Sequence, residues 1–346
     1  MAWFHNLSAT EQFLLVSAIK IVCVFCVVMP AVAYSVLAER KISAMIQDRL
    51  GPNRVGWGGL WQPLADGVKT FLKEDFVPAH VRKAYFWLAP MISMTPALLV
   101  LAVIPFGSKL GGEPMVIADL NVGILYTFGI VSLGVYGIVL AGYASNSKYP
   151  FLGGIRSSAQ MISYEIAMGM SVIPVFLIVG DLNLSKVIEY QYQHGWLILY
   201  APLSFVIFLI AAFAETNRLP FDLPESEQEL VGGYHTEYSS MKFALFFMGE
   251  YANMIAASAM MVTLFLGGWT LPVAGLNRPA ESISMGIAHI VIFMVKVAVL
   301  MGLFIWVRWM WPRFRYDQLM DLGWRRFLPL ALVNILATAL WLWLAA

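Results

Sequence analysis

Glu165 and Glu250 stand where a carboxylate is expensive. Glu165 lies in SAQMISYEIAMGM, five or six residues into an otherwise apolar helix, with Gln160, Ser163 and Tyr164 around it. Gln160 is neutral and Lys148 is a loop away, so no countercharge lies within one turn. Glu250 lies in KFALFFMGEYANM, about nine residues into its apolar run and flanked by Gly249, Tyr251 and Asn253. An acid at membrane depth must face protein, water or a distant partner. A buried structural hydrogen bond would satisfy either one. A proton-carrying role is the stronger expectation for both.

Between these two runs the chain reads AETNRLPFDLPESEQELVGGYHTEY, from Ala214 to Tyr238. It holds Glu215, Asp222, Glu225, Glu227, Glu229 and Glu237, against one arginine, Arg218. Glu215 closes an apolar run. Pro224 suits the first turn of a new helix. On such a helix Glu225 and Glu229 share a face and Glu227 points away, because successive residues are about 100° apart. A solvated acidic loop would explain the stretch, but its leucines, Val231 and Gly232–Gly233 read as packed. In a half-buried carboxylate cluster, repulsion and desolvation raise pKa values toward neutrality, where protons load and release. That is the preferred reading. Glu39 ends the first apolar run in LAERKISAMIQDRLGPNR, with Arg40 and Lys41 next to it. Its residues allow two readings equally: a helix end reaching interfacial water, or a charged rim around a polar or amphipathic ligand.

The elements that must hold these acids are membrane spans. The 346 residues are 60% hydrophobic and 12% charged, against about 25% charged in an average soluble domain. Mean hydropathy is +0.73. An all-α, polytopic integral membrane protein follows. Runs of about 20 apolar residues place eight spans near 12–38, 84–104, 122–142, 160–180, 197–214, 241–266, 285–308 and 326–344. The first run is long and reads as a retained span, not a cleaved signal. Of the 22 Lys and Arg, 17 fall in the odd-numbered connections or at their edge. Those connections therefore face the cytoplasm or matrix, and both termini face the other side. An even number of spans agrees. Residues 57–77 overlap GGLWQPLADGVKTFLKEDFVP (58–78), in which Leu60, Leu64, Val68, Phe71 and Leu72 form one helical stripe beside Lys69 and Lys73. An amphipathic helix lying on the membrane surface fits. No linker divides the chain, so residues 1–346 read as one membrane domain with an acidic cytoplasmic loop at 214–240.

Other chemistries are poorly supported. Only His289 of the five histidines is well inside a span, which disfavours a haem held between helices. Cys23 and Cys26 form a CxxC within a span, without a partner pair, and read as small apolar residues. The chain contains no phosphate loop, dinucleotide fingerprint or nucleophile elbow, and no basic tail or patch for nucleic acid. A row of acids can carry or gate protons but cannot supply energy. The driving reaction must lie elsewhere or arrive as a substrate, and the dense cytoplasmic loops point to a docked partner.

Five segments in order resemble one family: AERKISAMIQDRLGPNRVG, QPLADGVKTFLKED, AGYASNSKYPFLGGIRSSAQMISYE, AETNRLPFDLPESEQELVGGYHTEYSSMKFALFFMGEY and RWMWPRFRYDQLMDLGW. The chain is similar to the H-subunit (mitochondrial subunit 1) family of respiratory complex I, the proton-pumping NADH:quinone oxidoreductase. The resemblance implies a bacterial inner-membrane protein that helps build the quinone chamber. It implies that Glu39, Arg40, Arg49, Asp66, Lys69 and Lys73 line the chamber or its entrance. The family's acidic path would be carried here by Glu165, Glu215, Asp222, Glu225, Glu227, Glu229 and Glu250. Quinone would be a substrate, with flavin mononucleotide (FMN) and the iron–sulfur clusters held by partner subunits. The implied partners are the peripheral-arm quinone-site and iron–sulfur subunits, the small membrane and antiporter-like subunits, and membrane lipid. An equivalent subunit of a membrane-bound hydrogenase-type complex and a stand-alone proton-coupled transporter are the alternatives. The intact NRLPFDLPESEQE stretch favours the quinone enzyme by resemblance, and no convincing inverted repeat supports a transporter.

Overall fold

Ser8 starts the first helix with a reciprocal cap: its hydroxyl accepts from the Glu11 amide, and the Glu11 carboxylate accepts from the Ser8 amide at 2.8 Å. The pairing satisfies two groups that a helix start leaves open. The computed structural model describes residues 8–223, 230–273 and 275–345. Helix α1 (Ala9–Ile46) runs through Glu39 and continues two turns beyond it. A 3₁₀ turn (Trp57–Gly59) leads into α2 (Gln62–Leu72), at the centre of the stretch read as amphipathic. Then come α3 (Lys83–Val100), a hairpin of two-residue strands β1 (Lys109–Leu110) and β2 (Glu113–Pro114), α4 (Gly123–Ala144) and α5 (Lys148–Val179). The second half holds α6 (Leu184–His194), α7 (Pro202–Glu215), a 3₁₀ turn (Gly233–His235), α8 (Ser240–Phe265) and α9 (Ile283–Met310). It ends with α10 (Tyr316–Asp321), a π-helical turn (Leu322–Phe327) and α11 (Leu328–Ala345).

Six of these helical stretches are long and apolar enough to cross a membrane: Thr10–Ile46, Gly123–Ala144, Lys148–Val179, Ser240–Phe265, Ile283–Met310 and Tyr316–Ala345. The fold is an all-helical, multi-pass bundle of membrane type. The fourth run begins twelve residues before the expected edge, because Lys148–Ser158 is helical too. Its serines and glycines lower the hydropathy without breaking the helix.

Helix α5 is central. Gln160 is fully buried, and its amide nitrogen donates to Ala214 O at 2.6 Å and Phe221 O at 2.7 Å. It thereby anchors the chain leaving α7. Tyr164 donates to Leu319 O at 2.9 Å and ties in α10. Helices α3 and α4 approach at Gly137, where an added Cβ would lie 2.6 Å from the Ser93 amide nitrogen. Such close backbone contact is how membrane helices gain packing without a hydrophobic driving force between them. Leu223 and Leu230, on either side of the acidic stretch, are buried as expected, whereas Val231 is 62% exposed. Val231 has φ of +66°, and this turn directs its side chain outward.

Candidate functional site

Glu39 does not stand at a helix end. Because α1 continues past it, its side chain turns into the bundle and is 5% exposed. Arg218, from the turn after α7, places Nη1 3.2 Å from both Glu39 carboxylate oxygens. The Arg218 Nε lies 2.7 Å from Glu250 Oε1 on α8. Tyr251, the next residue on α8, donates to Glu39 Oε2 at 2.7 Å, and the Arg218 guanidinium lies 4.3 Å from its ring centre. Arg308, near the end of α9, donates to Glu39 Oε1. One guanidinium thus bridges two carboxylates from two helices, and a second closes the set. The planar fork of arginine permits this, and lysine could not contact both acids in the same way.

The cluster continues into the bundle. Glu250 and Glu215 both line a cavity of about 20 Å³, room for about one water. Asn217 and Asn253 share its wall. Glu215 lies within reach of the charge on Glu165. Glu165 accepts a hydrogen bond from Ser132 on α4 and lines a groove of about 1120 Å³ between α4 and α5. The rest of that wall is mostly apolar, with Asn121 and Asp181 at one end.

Other sequence-selected residues fall outside this cluster. Arg40 pairs with Asp66 of α2 at 2.7 Å, and Gln62 donates to the other Asp66 oxygen at 3.0 Å. Arg49 is exposed and donates to Gln47 at 2.7 Å. Lys69 and Lys73 are exposed on α2 and beyond its end. Asp222 pairs with Arg313 at 2.9 Å. Glu225, Glu227 and Glu229 lie outside the described residues.

Sequence reading missed Arg308, Tyr251 and Ser132 as partners, and treated Arg218 only as the lone base in an acidic block. Arg218 and Glu39 are 179 residues apart, so no local spacing could pair them. Among the described residues no group of three His, Cys, Asp or Glu is placed to hold a metal. Cys23 and Cys26 are free and exposed. His289 is fully buried, with Nδ1 2.8 Å from Ser108 Oγ and its ring 4.5 Å from that of Trp269.

These features define a polytopic helical membrane protein with a buried ion-pair network crossing several helices. A family model described as NADH dehydrogenase matches residues 19–339. The chain is 52% identical to the NADH-quinone oxidoreductase H-subunit of Rhodospirillum rubrum, over 89% of this chain and 88% of the relative. It is 50% identical to the H-subunit numbered 1 of Geobacter sulfurreducens, over 93% of both chains. It is 48% identical to the H-subunit numbered 1 of Cytophaga hutchinsonii, over 94% and 96%. The chain belongs to the H-subunit family of NADH-quinone oxidoreductase.

Proposed function

We propose that this chain is the membrane subunit of a proton-translocating NADH:quinone oxidoreductase, forming part of the quinone chamber and coupling quinone reduction to proton movement. The relatives named above carry that enzyme's name. The observation that carries the coupling is Arg218 held between Glu39 and Glu250.

With all four ionised, Glu39, Glu250, Arg218 and Arg308 balance to zero charge. Reducing a quinone to a quinol takes two electrons and two protons, and so draws positive charge toward the chamber. A proton arriving at Glu250 removes one claim on Arg218 and strengthens its hold on Glu39. The Glu215–Glu250 cavity and the Glu165–Ser132 contact extend the same line of acids to the α4–α5 groove. Glu225, Glu227 and Glu229, with Asp222, begin it on the cytoplasmic side. Arg40, Asp66, Arg49, Lys69 and Lys73 border the entrance, with α2 lying in the membrane interface. Leu64 is 61% exposed and Phe71 73% exposed on α2, and apolar exposure of that kind suits lipid.

In this reading the bundle has eight spans in one domain. Helix α3 has 18 residues, about 27 Å long, and α7 is an apolar helix of 14 residues; they supply the two spans beyond the six. The chain sits in the bacterial inner membrane with both termini on the non-cytoplasmic side. Its partners are the peripheral-arm quinone-site and iron–sulfur subunits and the small and antiporter-like membrane subunits. Quinone is its substrate, and FMN and the iron–sulfur clusters belong to partners.

The test replaces Glu225 and Glu227 together with Gln, and separately Glu250→Gln. Reductase activity and proton pumping should fall together, by roughly a hundredfold for Glu250→Gln, the low end for a lost proton-transfer group. The complex should still assemble on native gels. Normal pumping by an assembled variant would remove the coupling role.

A further inference from the structure

Helix α2 has no buried residue, so apolar burial within this chain does not fix its position. Polar contacts hold it at both ends. On the N-terminal side, Arg40 reaches Asp66, and Lys41 donates to Gly58 O at 2.6 Å. The Arg40–Asp66 pair is well exposed, and exposed pairs hold weakly.

The other end is fastened differently. Ser240, the first residue of α8, places its hydroxyl 2.9 Å from Thr70 O and 3.0 Å from Lys73 O. Those carbonyls lie at the end of α2, where no intrahelical amide reaches them. Lys242 Nζ lies 2.6 Å from Asp75 Oδ1. The same ammonium lies 4.0 Å from the Trp87 ring centre and 5.5 Å from that of Phe86. Lys242 is 2% exposed, and the Asp75 side chain 35%. A buried ammonium braced by aromatic faces holds its carboxylate more firmly than a surface pair does. Ser240 also adopts φ of +53°, a left-handed conformation uncommon for a residue with a side chain. Such strain persists where the surroundings over-determine it.

We propose that Ser240, Lys242 and Asp75 form a latch that fixes the C-terminal end of α2 to α8, and that these residues thereby position the entrance for long-tailed quinones. The latch makes α2 a strut between α1 and α8. The helix that frames the entrance is then tied to the helix that carries Glu250. This inference rests on the reading of α2 as an entrance wall.

The test uses the assembled complex in proteoliposomes with the double substitution Ser240→Ala/Lys242→Met. Methionine occupies the space of the lysine stem without a buried charge, and Asp75 is exposed enough to be hydrated. In a background with Cys23 and Cys26 replaced by Ala, a nitroxide attached through Phe71→Cys reports the motion of α2. The label should gain mobility when the latch is broken. KM for a ten-prenyl ubiquinone should rise several-fold at nearly constant kcat, while kinetics with one-prenyl ubiquinone stay unchanged. Lys242→Arg alone should retain the tight label and the low KM. An unchanged label spectrum in the double variant would show that no latch exists. A mobile label with unchanged KM for both quinones would instead sink the entrance reading, and this inference with it. An equal rise in KM for both quinones, or a fall in kcat alone, would mean general distortion of the site and overturn the proposal.

Discussion

Two cations from neighbouring segments pack against helix α8, Arg218 at Glu250 and Lys296 beyond its C-terminal end, and they are satisfied in different ways. In the first half of α8 Arg218 approaches from the turn after α7 and is held by Glu250 on α8 and by Glu39 on α1. Fifteen residues beyond Glu250, about 22 Å along a helix axis, α8 ends at Phe265. There Lys296 from α9 donates to Leu266 O at 2.6 Å, Gly268 O at 3.0 Å and Thr270 O at 2.5 Å. Its ammonium also lies 4.7 Å from the Trp196 ring centre. Each of the three lysine protons has a carbonyl, and the charge offsets the negative end of the helix dipole. Backbone carbonyls do not titrate, so no partner of Lys296 at this end changes charge. The Arg218 end is built from groups that change charge by taking a proton, and its partners lie on three other segments. A cation held by carbonyls secures a helix. A cation held by acids leaves the arrangement able to respond to a proton.

The strongest way to break that contrast is to remove Arg218. Arg218→Leu leaves Glu39 and Glu250 buried without their shared guanidinium, a loss of about 3–5 kcal/mol for a broken buried pair. The assembled complex should disappear from native gels and quinone reductase activity with it. Stable assembly at normal activity would mean the acids are already neutral. Arg218→Lys should assemble but turn over slowly, because one ammonium cannot replace a fork that contacts two helices.

Lys296→Met should cost less, about 1–3 kcal/mol for carbonyls left unpaired. Its expected signature is a lower Tm in detergent with the proton-to-electron ratio intact. A reduced ratio at unchanged Tm would place Lys296 among the coupling groups and erase the contrast. Asp66→Asn comes next, since the Arg40–Asp66 pair is exposed and worth about 0.2–1 kcal/mol. Stability should hardly move, and any change should appear in quinone KM.

The smallest effect concerns pH. Outside the spans, the Lys186 hydrogen bond holds Asp181 below the ordinary carboxylate range, and Asp181 holds Lys186 above the ordinary lysine range. A lowered acid loses its stabilising share only as pH falls through the folded value, below the unfolded one. A raised base loses its share only as pH rises through its folded value, above the unfolded one. This pair therefore contributes a constant amount between about pH 5 and 9. Asp181→Asn should leave the pH–activity profile in that window unchanged. A shifted profile would mean that the α4–α5 groove, which Asp181 lines beside Glu165, senses this loop.

Much of the frame was legible without coordinates. The apolar runs gave helix positions to within a few residues for α4, α8 and α9, because lipid length and backbone satisfaction leave little choice of element. Edges failed where polarity and helicity part company. Glu39 and Arg40 look like a span end, yet α1 continues to Ile46; Lys148–Ser158 looks like a loop, yet α5 runs through it. Neither charge nor serine ends a helix as a left-handed turn does, and α5 stops only at Gly180, with φ of +77°.

The sequence by itself determined that this is a helical membrane protein with costly acids at Glu165 and Glu250, and its long ordered motifs determined the family. Those properties are written in local composition and order along one chain. Only the tertiary structure decided which partner answers which charged or acidic group: Arg218 and Arg308 for Glu39, Arg218 again for Glu250, Ser132 for Glu165, three carbonyls for Lys296. The partners are separated by up to 269 residues. A buried charge selects its partner by proximity and desolvation in three dimensions, and spacing along the chain carries no record of that choice.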